Sequence, residues 1–203
     1  YYEALQQGTT PVTLLDTVRS LRASGITIPI IVMGYVNPMT SYGPDRWVTD
    51  AIEAGVDGLI IVDLPPDEAA ELEIPAHKAG LHIIYLVAPT STDDRLRLVA
   101  DHASGFVYCV SLAGTTGTRS ELPQDLPEFI ARVRAQTDLP LGIGFGISER
   151  RHVQQVAALA DAAIIGSAFV RTIADTPREG RAAAVREFVE RMTGRTAAPV
   201  AAE

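Results

Sequence analysis

Residues 140–153 read "PLGIGFGISERRHV": an apolar run, three glycines at alternate positions, then a polar stretch that opens on serine with helical character. Glycine weakens a strand and brings no side chain to a core. Gly142, Gly144 and Gly146 at the end of an apolar strand therefore point to a demand on the backbone itself. The stretch "IIGSAFVRTI" at 164–173 repeats the arrangement, with Gly166 and Ser167 opening a short helical run. The free N–H groups at a helix start carry partial positive charge and receive anions. A glycine lets a ligand approach the main chain without a Cβ in the way. Gly144, Gly146, Gly166 and Ser167 thus form a candidate phosphate site, beside the plainer reading that these glycines only serve tight turns.

Short apolar runs alternate with amphipathic helical runs along most of the chain. Strand candidates lie at 27–35, 56–63, 81–87, 105–110, 139–144 and 160–166. They are nearly continuous in apolar character, as expected of parallel strands buried on both faces. Helical candidates between them open with Ser, Asp or Pro and several close with Gly, a repeated β-α unit. Strand starts at 28, 57, 81, 105, 139 and 161 are spaced by 29, 24, 24, 34 and 22 residues. The long interval holds "SLAGTTGTRSELPQD", which reads as a lid over a site at the strand ends or as a tolerated surface insertion. A doubly wound sheet places its glycine loop after the first strand. Here the glycine loops come last, where a (β/α)8 barrel builds its phosphate site. The fold class expected is α/β: a TIM (β/α)8-type barrel with about six of its eight units, hence incomplete. Residues 1–192 form the barrel domain and 193–203, Ala-rich and patternless, a disordered tail. The start "YYEALQQG" lacks an initiator methionine and reads as the end of a helix, so residues are expected to be missing upstream.

A net charge of -8 with pI near 5.0 argues against nucleic acid or an anionic membrane as the main partner. The single cysteine, Cys109, allows no internal disulfide and fits a reducing, cytoplasmic setting. No apolar run has membrane-spanning length. His77, His82, His102 and His152 show no metal-ligand spacing, so no metal is expected. Few reactive side chains fall at strand tops: Tyr35, Asn37, Asp63, Tyr108 and Ser111. Asp63, taken as buried, reads either as a general base or as an acceptor for nearby backbone. Met33, Ile60, Leu86, Phe145 and Ile164 at inward positions would build an apolar pocket suited to a flat aromatic group with a phosphate-bearing tail.

The segments "VMGYVNPMTSYG", "VDGLIIVDLPPDEA", "SLAGTTGTR", "GFGIS" and "AIIGSAFV", in this order and spacing, resemble the signature segments of the tryptophan synthase alpha chain family over residues 1 to about 190. The resemblance implies a β/α barrel that cleaves indole-3-glycerol phosphate to indole and glyceraldehyde 3-phosphate. It implies no cofactor on this chain, and an alpha2beta2 heterotetramer whose beta subunit carries pyridoxal phosphate. By resemblance Gly117, Gly146, Gly166 and Ser167 contact phosphate, and Tyr108 and Phe145 line the indole pocket with Ile60, Leu86 and Ile164. Thr116 becomes the lid residue, and Tyr35, Asn37, Asp63 and Pro65 order the lid and meet the beta subunit. Leu112 stands where some relatives have arginine. The family's catalytic glutamate and aspartate fall in a segment preceding Tyr1, so no catalytic residue is expected in this chain, and negligible lyase activity from it alone. Two other readings remain: a different phosphate-binding barrel enzyme, and a non-catalytic partner that keeps a docking surface for a beta-like subunit.

Overall fold

The computed structural model describes residues 6–111, 122–144 and 146–195. The chain divides into two compact units, one running to Leu86 and including Asp94–Val107, the other formed by Val87–Asp93 and the chain from Tyr108 on.

The first unit is a parallel three-stranded sheet with helices against it. Helix α1 (Pro11–Ala23) starts on a reciprocal cap, in which the Thr13 N–H donates to Thr10 Oγ1 and the Thr10 N–H to Thr13 Oγ1. Strand β1 (Ile31–Gly34) follows, then α2 (Val36–Tyr42) and α3 (Pro44–Ala54). Strand β2 (Gly58–Ile61) leads through a 3-10 turn at Pro66–Glu68 to α4 (Ala70–Ala79), β3 (His82–Ile84) and, further on, α5 (Asp93–His102). The order is β1-β2-β3, with Met33 level with Ile60 and Ile60 level with Ile84. Trp47, Leu15, Leu59, Leu81 and Ile83 are almost fully enclosed and form the core between sheet and helices.

In the second unit the strands run β4-β5-β6-β7: β4 (Leu86–Val87), β5 (Val107–Val110), β6 (Leu141–Gly144) and β7 (Ala162–Ile164). Helices α6 (Leu126–Arg134), α7 (Arg150–Ala157), α8 (Ser167–Ala174) and α9 (Arg181–Thr193) complete it. Strands β6 and β7 pair in parallel, with Gly144 opposite Ile164. All six strand candidates are present. The run 81–87 is divided at Tyr85, whose phenol donates to Glu73 Oε2 on α4 at 2.5 Å while His102 Nδ1 lies 2.8 Å from the same carboxylate. The 112–121 stretch, which contains most of the lid candidate, lies outside the described residues, as do Phe145 and the tail from 196.

One clamp occurs in both units with the same bonds. In the first, Arg22 Nη2 pairs with Asp57 Oδ2 at 2.5 Å and Arg22 Nη1 donates to the Ile28 carbonyl at 2.8 Å. Asp57 Oδ2 accepts the Ile30 N–H and the Asp57 N–H donates to the Ile30 carbonyl. In the second, Arg134 Nη2 pairs with Asp161 Oδ2 at 2.6 Å and Arg134 Nη1 donates to the Leu139 carbonyl at 3.2 Å. Asp161 Oδ2 accepts the Leu141 N–H and its own N–H donates to the Leu141 carbonyl. Each clamp joins the last turn of a helix to the starts of the next two strands and fixes their register at the N-terminal edge.

At the other end of β6, backbone and aromatic ring meet. A Cβ on Gly144 would stand 2.1 Å from the Tyr108 hydroxyl oxygen and 2.5 Å from Cζ. The missing side chain makes room for Tyr108, a buried residue of β5. Gly144→Ala is expected to destabilise the fold by about 1–3 kcal/mol, the usual cost of overpacking. Combining it with Tyr108→Leu should recover part of that loss in a double-mutant cycle by chemical denaturation, and strict additivity would contradict the contact.

The clamps make a prediction about acid. The Arg134 guanidinium, and after it the Leu141 N–H, hold the Asp161 carboxyl below the usual carboxylate range. A group depressed in the folded state adds stability above its unfolded value of ~3.9, lost as pH falls through the folded value. Asp161→Asn should therefore melt below the unsubstituted chain at pH 7, with the gap closing as pH is lowered below about 4. A gap independent of pH would show that the carboxylate charge does not contribute. With half of the Asp161 side chain exposed, the effect is expected to be small.

Candidate functional site

The second unit assembles the glycine turns that the sequence singles out. With Gly144 opposite Ile164, Gly146 and Gly166 each lie two residues past the last paired rung of neighbouring strands. Gly146 has φ +77°, a left-handed conformation that L side chains rarely adopt, and it is exposed. Gly166 caps α8 with φ -106° and ψ -83°, and a Cβ built there would meet nothing within 4 Å. Openness, rather than backbone strain, is what Gly166 provides. Ser167 begins α8 and is exposed; the first bond of the helix runs from the Val170 N–H to the Gly166 carbonyl. Helical geometry leaves the N–H groups of Ser167, Ala168 and Phe169 without intrahelical acceptors. Two backbone-amide sources thus leave adjacent strands at the same level, without a lysine, as helix-start anion sites allow.

Tyr108 and Ser111 brace this corner from β5. The Ser111 hydroxyl donates to the Gly144 carbonyl at 2.8 Å, and the Ser111 N–H donates to the same oxygen at 2.9 Å. Burial pushes the Tyr108 phenol upward, so it stays neutral. Burial also raises the Cys109 thiol, to about 12, which leaves it a core residue without nucleophilic character. Ile164 is half-buried at the end of β7. Gly144, by contrast with the expectation for it, is required by Tyr108 packing; ligand approach is not needed to explain it.

In the first unit, Ile60 is buried in the middle strand and Leu86 is half-buried. Met33, expected to face a pocket, is 52% exposed. Asp63, expected to be buried, is exposed; its Oδ1 accepts the Val36 N–H at 2.8 Å at the first turn of α2. This bond is the backbone-acceptor role that is one of the two readings open for Asp63, and it ties the top of β2 to the top of β1. Tyr35 precedes α2 and is 44% exposed, Asn37 is exposed within α2, and Pro65 opens the 3-10 turn. A cavity of about 240 Å³ lies over the end of β2 and is lined in part by Asp63, Pro65, Leu86 and Arg95. Arg95 pairs with Asp67 at 2.9 Å and holds its carboxyl below the usual range, an interaction with no signal in the sequence. Thr116, Gly117, Leu112 and Phe145 lie outside the described residues. Among the described residues, no group of three or more His, Cys, Asp or Glu is placed to hold a metal ion, and no helix is long and apolar enough to cross a membrane.

Comparison with known proteins meets this geometry. The family model for the tryptophan synthase alpha chain matches residues 2–201. The alpha chain of Gluconacetobacter diazotrophicus is 50% identical over 179 residues, 88% of this chain and 65% of that protein. The tryptophan synthase of Saccharomyces cerevisiae is 47% identical over 188 residues, 92% of this chain and 27% of that protein. The chain thus spans about a quarter of the yeast relative and just under two thirds of the bacterial one. Among solved structures, the Pyrococcus furiosus tryptophan synthase a2b2 complex matches with TM-score 0.88 and 34% identity, covering 96% of this chain and 78% of that one. Tryptophan synthase from M. tuberculosis matches with TM-score 0.79 and 34% identity, covering 93% and 71%. These matches fix the fold class as α/β of the (β/α)-barrel type. By sequence across nearly its whole length, and by the fold that carries its paired glycine turns, the chain belongs to the tryptophan synthase alpha chain family.

Proposed function

We propose that these residues are the phosphate- and indole-binding part of a tryptophan synthase alpha subunit, a lyase that cleaves indole-3-glycerol phosphate to indole and glyceraldehyde 3-phosphate. One observation supports the reading: the Gly144–Ile164 register, from which Gly146 and the Gly166–Ser167 helix start each follow two residues past the same rung of neighbouring strands. A dianionic ester held by those amides would place its organic part over the β5 and β6 ends, where Tyr108 and Ile164 offer apolar contact. Gly117, from the 112–121 stretch, would add a further amide and Thr116 would close the lid, while Phe145 would pack on the indole.

The cleavage is a retro-aldol step. The indole ring carbon is protonated, the side-chain hydroxyl beside it loses its proton, and the carbon–carbon bond between them breaks to give indole and an aldehyde. The acid and base that move these protons typically contribute ~10²–10⁴-fold each. By the family resemblance a glutamate serves as that acid/base while a partner aspartate steadies the charge that develops at the indole nitrogen; neither is matched by a residue of this sequence, whose part is binding and orientation. Asp63 has a structural bond in place of that role. The partner is a beta subunit carrying pyridoxal phosphate, in an alpha2beta2 assembly like that named for the Pyrococcus furiosus complex. Asp63, Tyr35, Asn37 and Pro65 contribute to the docking face, and the setting is cytoplasmic.

Two experiments follow. The purified chain should bind indole propanol phosphate in preference to ribulose-type phosphates, yet cleave indole-3-glycerol phosphate at least about 10⁴-fold more slowly than a full-length alpha chain. Preference for the sugar phosphate would favour another barrel enzyme, and near-normal turnover would refute the assignment of the catalytic acids. Ser167→Asp should separate binding from stability. A carboxylate at the start of α8 favours the helix by about 0.3–1 kcal/mol but repels an incoming phosphate. Calorimetry should show phosphate-ester affinity down at least about tenfold with the melting temperature unchanged or raised; undiminished affinity would place the phosphate elsewhere.

A further inference from the structure

Tyrosines, the tryptophan and the cysteine aside, two polar side chains are buried among the described residues: Ser111, 0% exposed, and His152, 2% exposed. They come from different elements, one just past β5 and the other in α7, and they bond the two ends of the connection from β6 to α7. Ser111 Oγ donates to the carbonyl of Gly144, where the turn leaves β6. His152 Nδ1 accepts the N–H of Ser148, where the turn enters α7, at 3.3 Å. Between these anchors lies Gly146 with its left-handed φ. A buried polar group that loses its partner carries its full desolvation cost, so such groups are uncommon without a purpose. Neither anchor is needed to form a strand or a helix, since β6 is already paired with β7 and α7 makes its own backbone bonds.

We propose that Ser111 and His152 are positioning residues that anchor the two ends of the β6–α7 connection, at Gly144 and Ser148, so that the backbone amide of Gly146 is presented to the substrate phosphate. The inference rests on the phosphate reading given above and adds residues that no chemistry of the ester itself would select. The bond fixes the form of the imidazole. Nδ1 must be unprotonated to accept an N–H, so the bond selects the tautomer that carries its proton on Nε2. Asparagine carries an oxygen at the same branch as Nδ1 and can keep the bond. Leucine fills the space without an acceptor and strands the Ser148 N–H.

The test is calorimetric titration of the 203-residue chain with inorganic phosphate and, separately, with indole. His152→Leu and Ser111→Ala should each weaken phosphate binding by about five- to tenfold, the cost of one lost hydrogen bond, with indole affinity unchanged. His152→Asn should restore phosphate binding to within about threefold of the unsubstituted chain, a rescue that a purely space-filling role would not give. The imidazole nitrogen resonances of the unsubstituted chain supply a readout that does not depend on any variant folding. They should show an unprotonated Nδ1 and a protonated Nε2, and the opposite tautomer overturns the inference. So does undiminished phosphate binding by the Leu and Ala variants, or an equal loss of phosphate and indole. If the unsubstituted chain binds no phosphate, the phosphate reading falls and this inference with it; if it binds and both variants bind equally well, only the inference falls.

Discussion

The missing Cβ of Gly144 is the constraint around which the second unit is arranged. Tyr108 occupies the space a side chain would take, and the Gly144 carbonyl receives two bonds from Ser111. Opposite it stands Ile164, so the β7 end is drawn to the same level. The close approach therefore sets three things together: where the phenol lies, where the turn begins and where α8 starts. A core of this density does not deform gradually, and a methyl group at 144 would have to move an aromatic ring held on all sides. The site inherits its precision from packing.

The strands' lower ends obey a different rule. Both Arg–Asp clamps join a helix end to two strand starts through the same donors and acceptors, around the similar stretches Ile28-Pro29-Ile30 and Leu139-Pro140-Leu141. Proline offers no N–H of its own, and the clamp uses the groups on either side of it: the arginine takes the carbonyl before it and the aspartate accepts the amide after it. The aspartates sit one residue before β2 and one before β7. As partly exposed pairs they add little stability individually. Their contribution is register, which decides what reaches the strand tops. In the second unit, Arg134 and Asp161, which look like surface charge in the sequence, thus sit at the starts of the two strands that lead to Gly146 and Gly166.

The strands and most helices were legible in the sequence because continuous apolar runs and capping residues are local signals. The division at Tyr85 has no local signal, and the partner its phenol meets there, Glu73 with His102 beside it, comes from elsewhere in the sequence. At Gly144 the sequence points to a need for bare backbone, but the Tyr108 ring that fills the space of the missing Cβ is not legible, since ring packing between strands leaves no sequence mark. Asp63 looked buried because prolines and apolar residues flank it, yet its carboxylate turns outward to the Val36 N–H. His152 read as one of four scattered histidines, and the signal that could have marked it was its place on the helix face beneath a glycine turn. The repeated I/L-P-I/L stretches followed by G-V-D and L-A-D were readable as a clamp only once their partners were known.

The proposed function rests on main-chain amides after β6 and β7 holding a phosphate ester. Amide resonances of the isotopically labelled chain, followed during addition of inorganic phosphate, test it most directly. Saturable shifts are expected at Gly146, Gly166 and Ser167, with the clamp residues Asp57 and Asp161 unmoved. Shifts centred elsewhere, with those three amides silent at saturation, would contradict it.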